Sequence, residues 1–213
     1  MSWQVNYALQ SIRKSHGTES AQQISDEAIK ITIPSCPEAI AVISAEQLIT
    51  AETATQYHTH YPAMDFLCGY RKECAWEGGA IKYVESNGIG WGSAGTLESA
   101  ILTGDIKTAA HKAYFFSYRL IRQMTSISNL NREFDHVFTM TRANGRSVRV
   151  GMISEYEPTA DAIRTFWDRF GPIDIAWNIN PNGNPTPNAI EAGRDLGCEV
   201  VKWEQLREML GRR

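Results

Sequence analysis

The sequence predicts an α/β fold, a mixed sheet flanked by helices, and three features of residues 134–213 carry that reading. Two apolar runs, residues 134–141 and 147–154, flank Arg142-Ala143-Asn144-Gly145-Arg146. An Asn-Gly pair between strand-like runs is the strongest local hairpin signal. Residues 158–170 set Ile163, Phe166, Trp167 and Phe170 at i, i+3, i+4 and i+7, the stripe of a helix laid against a sheet. Short apolar runs at 173–179 and 198–203 then alternate with helical stretches at 188–196 and 204–210. The first of these helices stops at Gly197, a residue suited to a left-handed cap.

Upstream, the order is less regular. Residues 1–30 are polar and interrupted by Ser15-His16-Gly17-Thr18, which predicts a surface arm or a loosely packed cap. Residues 29–33 and 39–44 read as strands separated by Pro34 and Pro37. A helical composition follows at 45–57, a loop at 57–62, a short strand at 65–70 and a helix at 75–85. Ser93 or Thr96 is placed to cap a helix over 97–102, and a longer helix is expected from 108 to about 124, with Ala113, Phe116, Leu120 and Met124 on its apolar face and Lys112, Arg119 and Arg122 pointing elsewhere. No internal repeat and no low-complexity linker is visible. The expected organisation is a helical N-terminal elaboration with short strands, 1–107, and an α/β core, 108–213, or one compact domain.

Composition narrows the function. The chain has 213 residues, 43% of them hydrophobic, enough for a sizeable core. No apolar run is long enough for a membrane span, and the N-terminus lacks a basic segment followed by an apolar one, so a cytoplasmic protein with no membrane partner is expected. Cys36, Cys68, Cys74 and Cys198 form no CxxC pair. Free, mostly buried thiols are the expectation, not a zinc site. A net charge of −3 argues against non-specific coating of nucleic acid. The basic residues Lys112, Arg119, Arg122, Arg132, Arg142, Arg146 and Arg149 nevertheless crowd into residues 111–150, opposed there only by Glu133 and Asp135. Such a band is either a phosphate-binding face or a solvated helix face with a hairpin tip.

The hairpin residues Phe134-Asp135-His136-Val137-Phe138-Thr139-Met140-Thr141, the Asn-Gly turn and Ser147-Val148-Arg149-Val150-Gly151 are similar to the central hairpin of the PD-(D/E)xK restriction-endonuclease-like superfamily, and within it resemble the Mrr-type branch. The likeness continues through Thr186-Pro187-Asn188 and Leu196-Gly197-Cys198, covering roughly residues 132–207. It implies a restriction-endonuclease-like core, nucleic acid (DNA or RNA) as partner, a Mg²⁺ cofactor if the protein is active, and a phage-defence or mobile-element setting. Metal-assisted phosphodiester cleavage needs carboxylates for the ion and a cation for the attacked phosphate. Asp135 matches the first carboxylate. Arg149-Val150-Gly151 stands where the family carries Glu-x-Lys. In an active protein, Asp135 and Glu155 would be the catalytic metal ligands, with Lys112, Arg119, Arg142, Arg146 and Arg149 facing nucleic acid. Two readings stay open: a divergent nuclease or its catalytically inactive, nucleic-acid-binding derivative, and a structural or assembly module that binds a protein partner or forms a homo-oligomer.

Two further stretches have competing readings. Gly90-x-Gly92-x-x-Gly95 satisfies a dinucleotide-binding spacing, but Lys82-Tyr83-Val84-Glu85-Ser86-Asn87 before it is not a buried strand. Packing of Trp91 or a phosphate contact are its other readings. The loop over residues 178–187, rich in Asn, Gly and Pro, lies at a strand's carboxyl end, where open sheets place ligands, though its composition is also ordinary turn chemistry. Trp167, Trp177 and Trp203 are read as core residues.

Overall fold

The computed structural model describes residues 2–34 and 37–211 and divides into two compact units, Met1–Lys112 and Ala113–Arg213. Cys36 lies outside the described residues. The first unit runs α1 (Trp3–His16), β1 (Ala21–Gln23), β2 (Ala28–Ile31), β3 (Ala39–Ser44), β4 (Leu48–Ile49), α2 (Ala51–His60), β5 (Phe66–Gly69), β6 (Ala75–Trp76), α3 (Gly78–Ser86), β7 (Gly90–Gly92) and α4 (Ala94–Thr103). Its sheet has the order β1-β2-β3-β5-β7, with β1 to β3 antiparallel and β3, β5 and β7 parallel. Strands β4 and β6 form a separate parallel pair. One face is packed by α1 and α4, through Ile12, Leu97 and Ile101, and the other by α2 and α3, through Ala54, Ile81 and Val84.

Two expectations for this half are corrected. Residues 3–16 are no loose arm: α1 buries Val5, Ala8, Leu9 and Ile12, apolar positions three and four apart that a polar average conceals. The short strands also assemble into a full sheet, so this half is an α/β unit of its own.

The second unit runs α5 (Lys112–Arg122, beginning at the unit boundary), β8 (Ile127–Phe134), β9 (Val137–Arg142), β10 (Ser147–Ile153), α6 (Ala160–Phe170), β11 (Ile175–Asn178), α7 (Pro187–Leu196), β12 (Glu199–Val201) and α8 (Trp203–Gly211). The hairpin around Asn144-Gly145 forms as expected, with Val137 opposite Gly151 and Thr141 opposite Ser147. Strand β8 was not legible. Its residues are half-buried or exposed throughout, and its ladder to β9 is interrupted by two register shifts, so no alternation marks it. The sheet order is β12-β11-β10-β9-β8, antiparallel from β8 to β10 and parallel from β10 to β12.

The two units repeat one topology in one register. Ala28 pairs with Val42 as Val137 pairs with Gly151; Ala41 with Phe66 as Val150 with Ile175; Phe66 with Gly90 as Ile175 with Glu199. Every second member stands 109 positions after its counterpart (137 against 28, 175 against 66, 199 against 90). The repeat extends to Thr50 and Thr159, whose hydroxyls cap α2 and α6, and to Gly88 and Gly197, both at positive φ beyond α3 and α7. Few other positions share a residue, which is why the sequence shows no repeat: equivalent core sites keep apolar character and change identity, as at Phe66 and Ile175 or Cys68 and Trp177.

One side chain sets the start of the parallel strands in both copies. Asp65 Oδ2 accepts the Ile40 amide at 2.8 Å, and Asp174 Oδ2 accepts the Arg149 amide at 2.7 Å. The Asp65 amide donates to Ile40 O while its carbonyl accepts from Gly90 N; Asp174 does the same with Arg149 and Glu199. Each aspartate thus links three neighbouring strands. Among the described residues, no helix is long and apolar enough to cross a membrane.

Removing a charged acceptor from a partly buried amide costs about 1–3 kcal/mol. Asp65→Ala is therefore expected to destabilise the protein by about 2 kcal/mol in urea denaturation. The more exposed Asp174→Ala should cost less, and Asn at either site should recover part of the loss.

Candidate functional site

Asp135 lies in the turn between β8 and β9, with only 4% of its surface exposed. Its Oδ1 is 2.5 Å from His136 Nδ1. The imidazole is held in an aromatic cage, stacked on Tyr114 at 5.3 Å between ring centres and edge-on to Phe170 at 4.5 Å and Phe166 at 5.5 Å. The Tyr114 hydroxyl hydrogen-bonds Ser154. Burial first, then the Asp135 carboxylate, pushes that phenol up to about 12, and Glu155 adds in the same direction. The charges of Asp135 and Glu155 thus both act on the Tyr114 phenol. Glu155 is exposed in the loop after β10, and its backbone carbonyl accepts Asn178 Nδ2 at 2.7 Å.

The two carboxylates stand in different surroundings. Asp135 is committed to His136, Glu155 faces solvent, and no group of three potential ligands converges among the described residues. The strand that should supply the second carboxylate and the lysine is also occupied by packing. Arg149 pairs across the sheet with Thr139 of β9, beyond the turn that holds Asp135. Its guanidinium contacts Glu133 at 2.8 and 2.9 Å and donates to Pro172 O at 2.6 Å. Burial would raise the Glu133 carboxyl, but hydrogen bonds from Arg149 and Thr139, with the Arg149 charge, outweigh it and hold the group below its ordinary value. Arg149 is thus a structural ion pair. At Gly151 a Cβ would sit 2.3 Å from Phe166 Cε1 and 3.1 Å from Ile173 Cδ1, so α6 occupies the place of any longer side chain.

The other basic candidates are separate. Lys112 donates to Ser99 at 2.9 Å. Arg142 and Arg146 line a cleft at the amino ends of β10 and β11 together with Asp174 and Glu199, where mixed charge favours no anion. Arg119 is exposed on α5. Beside it Phe115 and Phe116 are 50% and 60% exposed: the buried face of the helix is carried by Ser117 and Ile121, not by the face through Phe116 that the apolar spacing predicts. Phe115, Arg119 and Arg122 follow at i, i+4 and i+7 along one stripe. Their adjacency was readable; their exposure was not, since the same letters serve equally well as core.

The remaining motifs resolve into packing. Gly90 and Gly92 belong to the buried strand β7, and a Cβ at Gly90 would meet Ile106 O at 1.9 Å, so these glycines admit the neighbouring backbone. The Asn-rich loop is gathered by Lys202, which sequence reasoning missed. Its ammonium donates to Asn178 Oδ1 at 3.0 Å, to Gly183 O at 2.7 Å and to Asn180 O, and burial pushes its pKa down. Cys68 and Cys198 are free and buried, and Cys74 is half-buried. No family model, curated protein or solved structure matches the chain.

Restoring the family's Glu-x-Lys by Arg149→Glu/Gly151→Lys should not yield plasmid cleavage with Mg²⁺. It should instead lower stability by about 3 kcal/mol in urea, through overpacking against Phe166. A phenol with a raised folded pKa contributes stability that is complete below pH 10 and lost as pH climbs toward 12. Thermal melts should accordingly show Tm falling above about pH 10, with Tyr114→Phe flattening part of that fall.

Proposed function

We propose that the protein binds nucleic acid without cutting it, using a nuclease-like framework present in two copies. The framework reading draws support from the sheet order, a three-stranded antiparallel meander continued by two parallel strands between helical layers, which suits a restriction-endonuclease-like core. The observation that carries binding is the exposed face of α5. It combines two solvent-facing phenylalanines with Arg119 and Arg122, and Lys112–Arg122 contains no acidic residue. Cations neutralise phosphates and aromatic rings stack on bases, a pairing of chemistries that suits nucleic acid better than an apolar protein surface. Asp135, Arg149 and Gly151 are taken up by His136, Glu133 and Phe166, which favours a binding role over phosphodiester cleavage.

Fluorescence anisotropy with labelled DNA and RNA oligonucleotides tests this. Affinity should fall with rising salt with a slope set by about two to three phosphate contacts. Arg119→Glu/Arg122→Glu should remove binding at the α5 face while the circular dichroism spectrum stays unchanged. A variant that binds as strongly and with the same stoichiometry as the unaltered protein, or binding that ignores salt, would instead favour the assembly-module reading.

A further inference from the structure

Helix α1 is the counterpart of α5 in the repeat, and it presents the same chemistry from different residues. Trp3 and Tyr7 are 63% and 62% exposed, one helical turn apart. Both stand edge-on to Tyr70, at 6.1 and 6.4 Å between ring centres, so three rings gather on one surface. The face turned to the sheet is a different one, carried by Val5, Ala8, Leu9 and Ile12. Lys14 is exposed and follows Tyr7 at i+7, on the stripe that carries the rings. Tyr7 and Phe116 occupy one position of the repeat (116 against 7). Trp3–His16, like Lys112–Arg122, contains no Asp or Glu, in a chain where 24 acidic residues outnumber 21 basic ones, and the carboxylate of Glu98 that reaches this stripe from α4 accepts from Ser11 Oγ at 2.6 Å.

We propose that the first helix of each repeat is a base-stacking face, so that one chain carries two sites of one kind for single-stranded nucleic acid; this rests on the nucleic-acid reading of α5. Single strands are the class the rings select. In a duplex the base faces are already stacked on one another, and rings on a convex helix meet only the backbone and groove edges. An unpaired strand offers base faces to the rings and phosphates to Lys14, Arg119 and Arg122 together. Two such sites on one chain make binding to a long strand partly intramolecular and raise its affinity without a new contact.

The test titrates the full chain with fluorescein-labelled oligothymidylates of about 8 and about 40 nucleotides and with a duplex of the longer length. The short strand should bind at two sites per chain, and the long strand more than tenfold tighter than the short one. In Trp3→Ala/Tyr7→Ala the short strand should bind at one site with unchanged affinity, and the long strand should weaken tenfold or more. Lys14→Glu, a solvent-facing change that leaves the rings in place, should weaken the same site, and circular dichroism verifies that both variants are folded. Two remaining sites in Trp3→Ala/Tyr7→Ala, or unchanged long-strand affinity, would overturn the α1 face and leave α5 standing. Duplex bound as tightly as single strand would overturn the choice of ligand. Failure of the unaltered protein to bind any of the three would remove the underlying nucleic-acid reading itself.

Discussion

The architecture depends on a carboxylate that fastens three strands at once. Asp65 and Asp174 stand at the entry to the central parallel strand of their units, where a free amide of the preceding strand must find a partner. Side chain, amide and carbonyl of one residue together tie down both neighbours. A slip of one residue would turn every core side chain to the wrong face. The cost of an unsatisfied amide and the cost of a misplaced core therefore act at the same point, and the same aspartate serves both copies.

With register so fixed, the copies have diverged where the fold permits. At the end of the meander, Asp26 and Glu46 occupy the places of Asp135 and Glu155. In the first unit, Ser25 and Ser44 bond to Tyr61 and Tyr57. In the second unit, Phe134, Phe166 and Phe170 stand at the corresponding places; Phe166 and Phe170 pack against His136, and Phe134 against Phe170. One edge of the fold thus carries a hydroxyl network in one copy and a sealed Asp–His pair in the other. Buried polar groups of the second kind rigidify a core when they are partnered, and they leave little freedom to gather a cation.

The C-terminal half was largely legible, and the reasons are local. Thr159 and Thr186 cap the helices they precede, Gly197 ends the second, Asn144-Gly145 turns the hairpin, and Ile163 with Phe166 marks the buried stripe of α6. Strand β8 was not legible, because an exposed edge held by a bulged ladder carries no alternation. Nor was α1, whose buried positions are outnumbered by polar ones. The candidate site was legible only as a set of letters. Asp135 and Glu155 both act electrostatically on the Tyr114 phenol, but what else holds each charge could not be read from neighbours in sequence.

What the chain determined by itself is its succession of elements, since caps, turns and amphipathic stripes depend on residues within about four positions of one another. The tertiary structure decided the rest: the duplication, the capture of Arg149 by Glu133, the three oxygens around Lys202, and the exposure of Trp3, Tyr7, Phe115 and Phe116. Each of these turns on which groups remain when strands distant in sequence have been brought into register. Solvent accessibility is a property of that assembly, whereas periodicity belongs to the chain alone.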